Sequence, residues 1–143
     1  MRERKIAYES VNRASSSGIV VKAPSFQRLY IDSGLALTDW MVKLDLISDN
    51  EKETVTLTGE NQVGLMANWL NEIVSLFQKK KFLCKRIVFN NFDGKNITAT
   101  VFGERYQSTK HGHVTELKPF TASQLELSGF SDGEELSARI FLA

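Results

Sequence analysis

Two stretches of the chain repeat apolar residues at three- and four-residue spacing, the signature of one buried face of an α-helix. In the first, Phe26, Leu29, Tyr30, Ser33, Leu37, Trp40, Met41 and Leu44 follow Pro24-Ser25, where the serine hydroxyl can cap the first turn. This spacing predicts an amphipathic helix from Ser25 to Leu46. In the second, Val63, Met66, Ala67, Leu70, Ile73, Val74 and Phe77 fall on one face behind a capping Asn61. Leu65, Trp69 and Leu76 widen that stripe, so this helix needs burial on more than one side. It ends in Lys79-Lys80-Lys81, cations placed where the helix dipole leaves partial negative charge.

Elsewhere the period is two, as in half-buried strands. Thr54 to Thr58 alternates strictly. Arg86 to Phe89 and Asn96 to Phe102 flank Asp93-Gly94, a dipeptide suited to a tight turn, and predict an antiparallel hairpin. Further strands are expected at Lys5 to Val11, Gly18 to Ala23, Val114 to Phe120, Gln124 to Leu127 and Ser137 to Leu142, with a solvated turn at Asp132-Gly133-Glu134-Glu135. Strands that mostly follow one another, interrupted by two helices, predict an α+β fold: two amphipathic helices packed on mostly antiparallel β-sheet.

The 143 residues suit a single domain, 1–143, and 42 % hydrophobic with 24 % charged residues exclude a disordered or collagen-like chain. A net charge of +1 means that any nucleic-acid or anionic partner must be met by a local patch. Cys84 is the only cysteine, which excludes an intrachain disulfide and a multi-cysteine zinc site and fits a reducing compartment. The chain has no apolar signal region and no apolar run long enough to span a bilayer, so a soluble, cytoplasmic protein without membrane contact is expected.

Candidate chemistry is sparse. Arg13-Ala14-Ser15-Ser16-Ser17-Gly18 reads as a hydroxyl-rich loop between strands, without a phosphate-loop or dinucleotide pattern, and a turn is its simplest role. His111 and His113, two apart, would point to one side of an extended chain; without a third ligand at a diagnostic spacing, Lys110-His111-Gly112-His113 reads as an exposed loop. Lys79, Lys80, Lys81, Lys85 and Arg86 form the one basic cluster, able to contact RNA phosphates or simply to be solvated. Asn96-Ile97-Thr98 fits a glycosylation acceptor, which has no meaning without secretion. Asn68, Asn71 and Glu72 make a polar row on an otherwise apolar helix, facing water or bonding to neighbouring strands. No ligand set for a metal-dependent hydrolase and no cofactor motif is present.

Leu65-Met66-Ala67-Asn68-Trp69-Leu70-Asn71-Glu72-Ile73 resembles the NWLNEL helix of the archease family. Gly18-Ile19, with Phe26 through Leu37, is similar to the family's first strand and helix. Gly103-Glu104, Lys110-His111, Thr115-Glu116-Leu117-Lys118 and Thr121 resemble its GE, KH and TEVKA segments, and Ala138-Arg139-Ile140-Phe141-Leu142 its last strand. The resemblance covers nearly the whole chain. It implies an α+β fold and a role as a non-enzymatic accessory of an RtcB-type RNA ligase, promoting guanylylation and turnover in tRNA splicing or RNA repair. It also implies a partner-facing role for Lys110 and His111, and an acidic metal site.

At that site the chain departs from the family pattern. The family's loop His falls on Arg13, its loop Asp on Ser16, its C-terminal Asp on Ala143, and a further His on Ser123. Hard divalent cations are held mainly by anionic oxygens, so a hydroxyl and a methyl in place of two carboxylates leave the metal site degenerate, with no metal expected. The α-carboxylate of Ala143, ionised at neutral pH, is the one group that could replace part of the lost charge. The alternative reading is a degenerate archease-fold protein- or RNA-binding module, independent of the ligase, using the basic cluster.

Overall fold

The computed structural model of the chain describes residues 8–13, 16–115, 117–129 and 136–141. Strands β1 (Tyr8–Arg13) and β2 (Ser16–Ala23) lead into helix α1 (Phe26–Met41). Strand β3 (Glu51–Thr58) leads into helix α2 (Gln62–Lys80), followed by β4 (Phe82–Phe92), β5 (Asn96–Arg105), the short α3 (Ser108–His111), β6 (Leu125–Ser128) and β7 (Leu136–Phe141). The strands pair antiparallel in two sheets, ordered β1-β2-β7-β6 and β3-β5-β4. The α+β class expected from the sequence is what forms, with the sheet divided in two.

Both helices contact both sheets, α1 against β2, β7 and β4, and α2 against β3, β4 and β6. The helices therefore form a middle layer, and one continuous core runs through all three. This explains why α1 is buried at every position from Leu29 to Thr38, including Asp32, Ser33 and Thr38. Thr38 meets its burial by donating its hydroxyl to the carbonyl of Gly34 at 3.0 Å.

Both expected caps form. Ser25 Oγ accepts from the Arg28 N–H at 3.2 Å, and Asn61 Oδ1 accepts from the Gly64 N–H at 2.8 Å. The first helix stops at Met41 instead of Leu46, because Val42 turns extended and the Asp39 carboxylate captures the Leu44 N–H at 2.9 Å. Leu44–Leu46 is a separate 3-10 turn. The two asparagines of the polar row on α2 bond to their neighbours: Asn68 donates to the carbonyl of Thr58 at 2.6 Å. Asn71 donates to the carbonyl of Phe120 at 2.9 Å and accepts from its N–H at 2.5 Å.

That clamp corrects one expectation. Residues 114–120 do not form the expected strand among the described positions, since Pro119 lacks an N–H and the Asn71 amide takes the place of a neighbouring strand at Phe120. Part of the hydroxyl-rich segment belongs to strands: Ser16, Ser17 and Gly18 pair with Arg13, Asn12 and Val11 between β1 and β2, while Ala14 and Ser15 lie outside the described positions. Residues 5–7, the 132–135 turn and Leu142 lie outside the described positions. Among the described residues no helix is long and apolar enough to cross a membrane.

Candidate functional site

One buried carboxylate organises the edge where the resemblance places function. Alternation along β5 puts Glu104 on the sheet face away from the helices, the same side as Phe102. It would be solvated there, but the segment after α1 and the loop carrying α3 fold over it and leave it 3 % exposed. Its Oε2 accepts from Lys110 Nζ at 2.7 Å, from the Ser48 backbone N–H at 2.9 Å and from His111 Nε2 at 2.9 Å. Burial alone would raise the Glu104 pKa. The Lys110 hydrogen bond, the Ser48 N–H, His111 and the charge of Lys110 outweigh it and hold the group at about 2.

His111 is fixed on both nitrogens. Nδ1 accepts from the Gln107 N–H at 2.8 Å, which assigns the ring proton to Nε2 and aims it at Glu104. Tyr106 stacks on the imidazole at 5.7 Å and donates its hydroxyl to the carbonyl of Gly112. The expectation of an exposed His111 and His113 pair is therefore corrected. His111 closes α3 in the interior, Gly112 turns the chain at φ 72°, and His113 is exposed. Lys110 remains 37 % exposed and also donates to Ser48 Oγ at 2.8 Å, so it is a positioned, surface-reachable ammonium.

Beside this cluster lies an open cleft of about 460 Å³, lined by Tyr8, Asp39, Trp40, Lys43, His111 and His113 among others. The Tyr8 hydroxyl donates to Asp39 Oδ2 at 2.8 Å. Burial, followed by this bond and the Asp39 charge, pushes the phenol pKa up. Cys84 is buried, its thiol pushed up to about 12 by desolvation, so it is no nucleophile.

The basic cluster is divided. Lys79 and Lys80 sit on the last turn of α2, Lys80 paired to Glu53 at 2.5 Å, and Lys81 caps the helix at φ 57° over the Phe77 ring. Lys85 donates to the carbonyl of Leu44 at 2.8 Å. Arg86 faces the other way, over Phe102 at 3.9 Å and beside Asp49 at 3.3 Å.

At the implied metal site Ser16 opens β2 opposite Arg13, and Ala143 lies outside the described residues. Among the described residues no grouping of three or more His, Cys, Asp or Glu is placed to hold an ion. A serine where the resemblance implies a carboxylate does not fit a resident divalent cation. Glu104 and Ser48 were missing from the sequence-based candidates as working parts. The signal for Glu104 was an acid at an outward strand position, which ordinarily means solvation, and only the folded-over loops reverse that meaning.

The Glu104 network makes a testable contribution to stability. The unfolded chain takes up the proton near the ordinary value of 4.5, whereas the folded chain resists until about 2, so the stabilisation is complete above 4.5 and disappears as pH falls through about 2. The drop corresponds to at most about 3 kcal/mol. Because water reaches Lys110, about 1–2 kcal/mol is expected. Denaturant unfolding of wild type and Glu104→Gln should differ by that amount at neutral pH and converge under acid. A pH-independent difference would refute the assignment.

Three comparisons place this geometry among known proteins. Residues 8–141 match the Archease protein family (MTH1598/TM1083). The protein archease-like of Drosophila melanogaster is 25 % identical over 141 residues, covering 96 % of this chain and 89 % of that one. The protein archease of Methanosarcina acetivorans is 26 % identical over 135 residues, covering 88 % and 89 %. The solution structure of Methanobacterium thermoautotrophicum protein 1598 superposes with a TM-score of 0.73 at 23 % identity, covering 94 % and 96 %. The crystal structure of a Thermotoga maritima archease, described as a possible chaperone, gives 0.58 at 17 %, covering 100 % and 99 %. With its fold shared and its sequence matched from the first described strand to the last, this chain belongs to the archease family.

Proposed function

We propose that this chain is a cytoplasmic accessory protein that assists guanylylation and turnover of an RtcB-type RNA ligase in tRNA splicing or RNA repair, working without the metal site that the resemblance implies. The observation carrying this reading is the Glu104, Lys110 and His111 constellation. Two segments matched to the family by sequence converge on one oxygen and present a single ammonium at the surface. Glu104 and His111 act as positioning residues. The Lys110 ammonium is then available to a partner's anionic group, such as a phosphate of the nucleotide being transferred, and needs little ordering when the partner arrives.

The test is ligase guanylylation measured with and without the full chain. Acceleration by the wild-type protein, and at least a tenfold weaker effect from Lys110→Ala at a temperature where both proteins are fully folded, is the expected result, about 1.4 kcal/mol of lost interaction. No acceleration at any ratio would remove the ligase reading.

A further inference from the structure

The outer face of the β3-β5-β4 sheet is a surface that the proposed ligase role does not use. The helices pack on its other side. The register aligns Lys52, Phe102 and Arg86 in one row across the three strands, followed by Thr54, Thr100 and Val88, and then by Thr56 and Thr98. Alternation sends these side chains outward, and the exposure of Lys52, Thr54, Thr56, Arg86 and Val88 agrees. Near the centre the Arg86 guanidinium lies over the Phe102 ring, 3.9 Å from its centroid. On the next pair Thr100 donates to Asn90 at 2.9 Å.

The composition of this face is selective. Its outward positions on β3, from Lys52 to Thr58, and on β5, from Asn96 to Phe102, hold a cation, an aromatic ring, an asparagine and five threonines, with no Asp or Glu. Glu51 and Glu53 have the opposite parity, and Glu53 is bound to Lys80. The acid touching the row is Asp49, and its pair with Arg86 is about half exposed at 49 % and 46 %, so it is readily exchanged for another anion. A protein-binding hot spot would present a larger apolar centre, whereas the exposed large aliphatic here is Val88 alone. A ring under a guanidinium, bordered by threonine hydroxyls and one lysine on an antiparallel sheet, is suited to stacking an unpaired base while the rim meets phosphate and ribose.

We infer that this sheet face binds single-stranded RNA, with Phe102 and Arg86 as the stacking platform and Lys52 as a phosphate contact. The Glu104 cluster closes one end of the face, since Glu104 lies two residues beyond Phe102 on the same side of β5. Bound strand would thus run up to Lys110. This reassigns RNA contact from the helix-end lysines, Lys79 to Lys81, to the opposite side of the sheet.

The experiment titrates the full chain into a labelled oligouridylate of about 12 nucleotides, followed by fluorescence anisotropy at two salt concentrations and by amide chemical-shift mapping. Single-strand binding with shifts on β3, β4 and β5 is expected. Lys52→Glu with Arg86→Glu should weaken it at least tenfold. Neutralising Lys52 to Ala should flatten the salt slope by about 0.7, the share of its one phosphate contact. Phe102→Ala should weaken it comparably, and the two charge variants, being on exposed residues, keep the test valid if the Phe102 variant unfolds. The Lys79→Ala/Lys80→Ala/Lys81→Ala triple variant should bind within about twofold of wild type. The inference is overturned by absence of binding, by equal affinity for a duplex of the same length, by loss of affinity in the lysine triple variant alone, or by shifts on this face with a protein partner and none with RNA. The guanylylation assay contains no RNA, so either proposal can fail without the other.

Discussion

Replacing Trp69 by alanine is expected to lower unfolding free energy by about 4 kcal/mol, near the upper end for a single truncation in a core. Three contacts converge on this side chain, which has no exposure to water. Its indole N–H donates to the carbonyl of Tyr30 at 2.7 Å and ties α2 to α1. Its ring meets Phe89 of β4 edge-on, with centroids 5.2 Å apart at 88°. Its indole lies 3.1 Å from where a Cβ at Gly34 would stand, through Cζ2 and Nε1 alike, which accounts for a glycine inside a buried helix. Trp69→Phe retains most of the apolar contact and loses the hydrogen bond, so a smaller cost of about 1–2 kcal/mol is expected. Denaturant midpoints for the two variants check this, and equal losses would show that packing around the indole is not what joins the helices.

Much of this arrangement was legible from sequence because local and global preferences agree. Ser25 and Asn61 begin their helices, and the hairpin at Asp93 forms with the Asp93 carboxylate accepting the Lys95 and Asn96 N–H groups at 2.9 and 2.7 Å. The misreadings have a common cause. Asp32 and Thr38 fall outside the face that the periodicity of α1 predicts to be buried, yet α1 lies between two sheets, and strands far away in sequence cover them. The segment from Val114 to Phe120 has strand-like residues, but its backbone is held by Asn71, a side chain 49 positions earlier. A side chain acting as a strand leaves no periodic trace.

The functional edge shows the same limit more sharply. Lys110 and His111 were identified as a pair of neighbours by resemblance, but the reason they belong together is Glu104, whose oxygen both of them reach. One is thereby a partly exposed ammonium and the other a buried imidazole, two roles that adjacency in sequence cannot distinguish. Ser48 completes the group from 56 residues upstream through its backbone N–H, which any residue type could supply.

Gly103→Ala is expected to be as damaging as the loss of Trp69, and to carry the damage into that edge. Gly103 is buried in the central strand of its sheet and pairs with both Cys84 and Glu51. A Cβ there would stand 1.7 Å from the Leu83 carbonyl oxygen and 2.8 Å from its carbon. Those atoms are backbone, so relief requires β4 and β5 to part where β4 is already irregular, between Cys84 and Arg86. A cost of about 4 kcal/mol or more follows, against less than about 0.5 for Thr98→Ala at an outward position of the same strand. Since Glu104 is the next residue, parting the strands would also move the carboxylate away from Ser48 and Lys110. The variant should therefore lose the acid-sensitive stability assigned to Glu104 in whatever fraction remains folded. Denaturant unfolding at neutral and acidic pH measures both effects. A Gly103→Ala protein with wild-type stability and an intact pH dependence would mean that the strands can separate there at no cost, and that the rigidity ascribed to this end of β5 is not what positions Lys110.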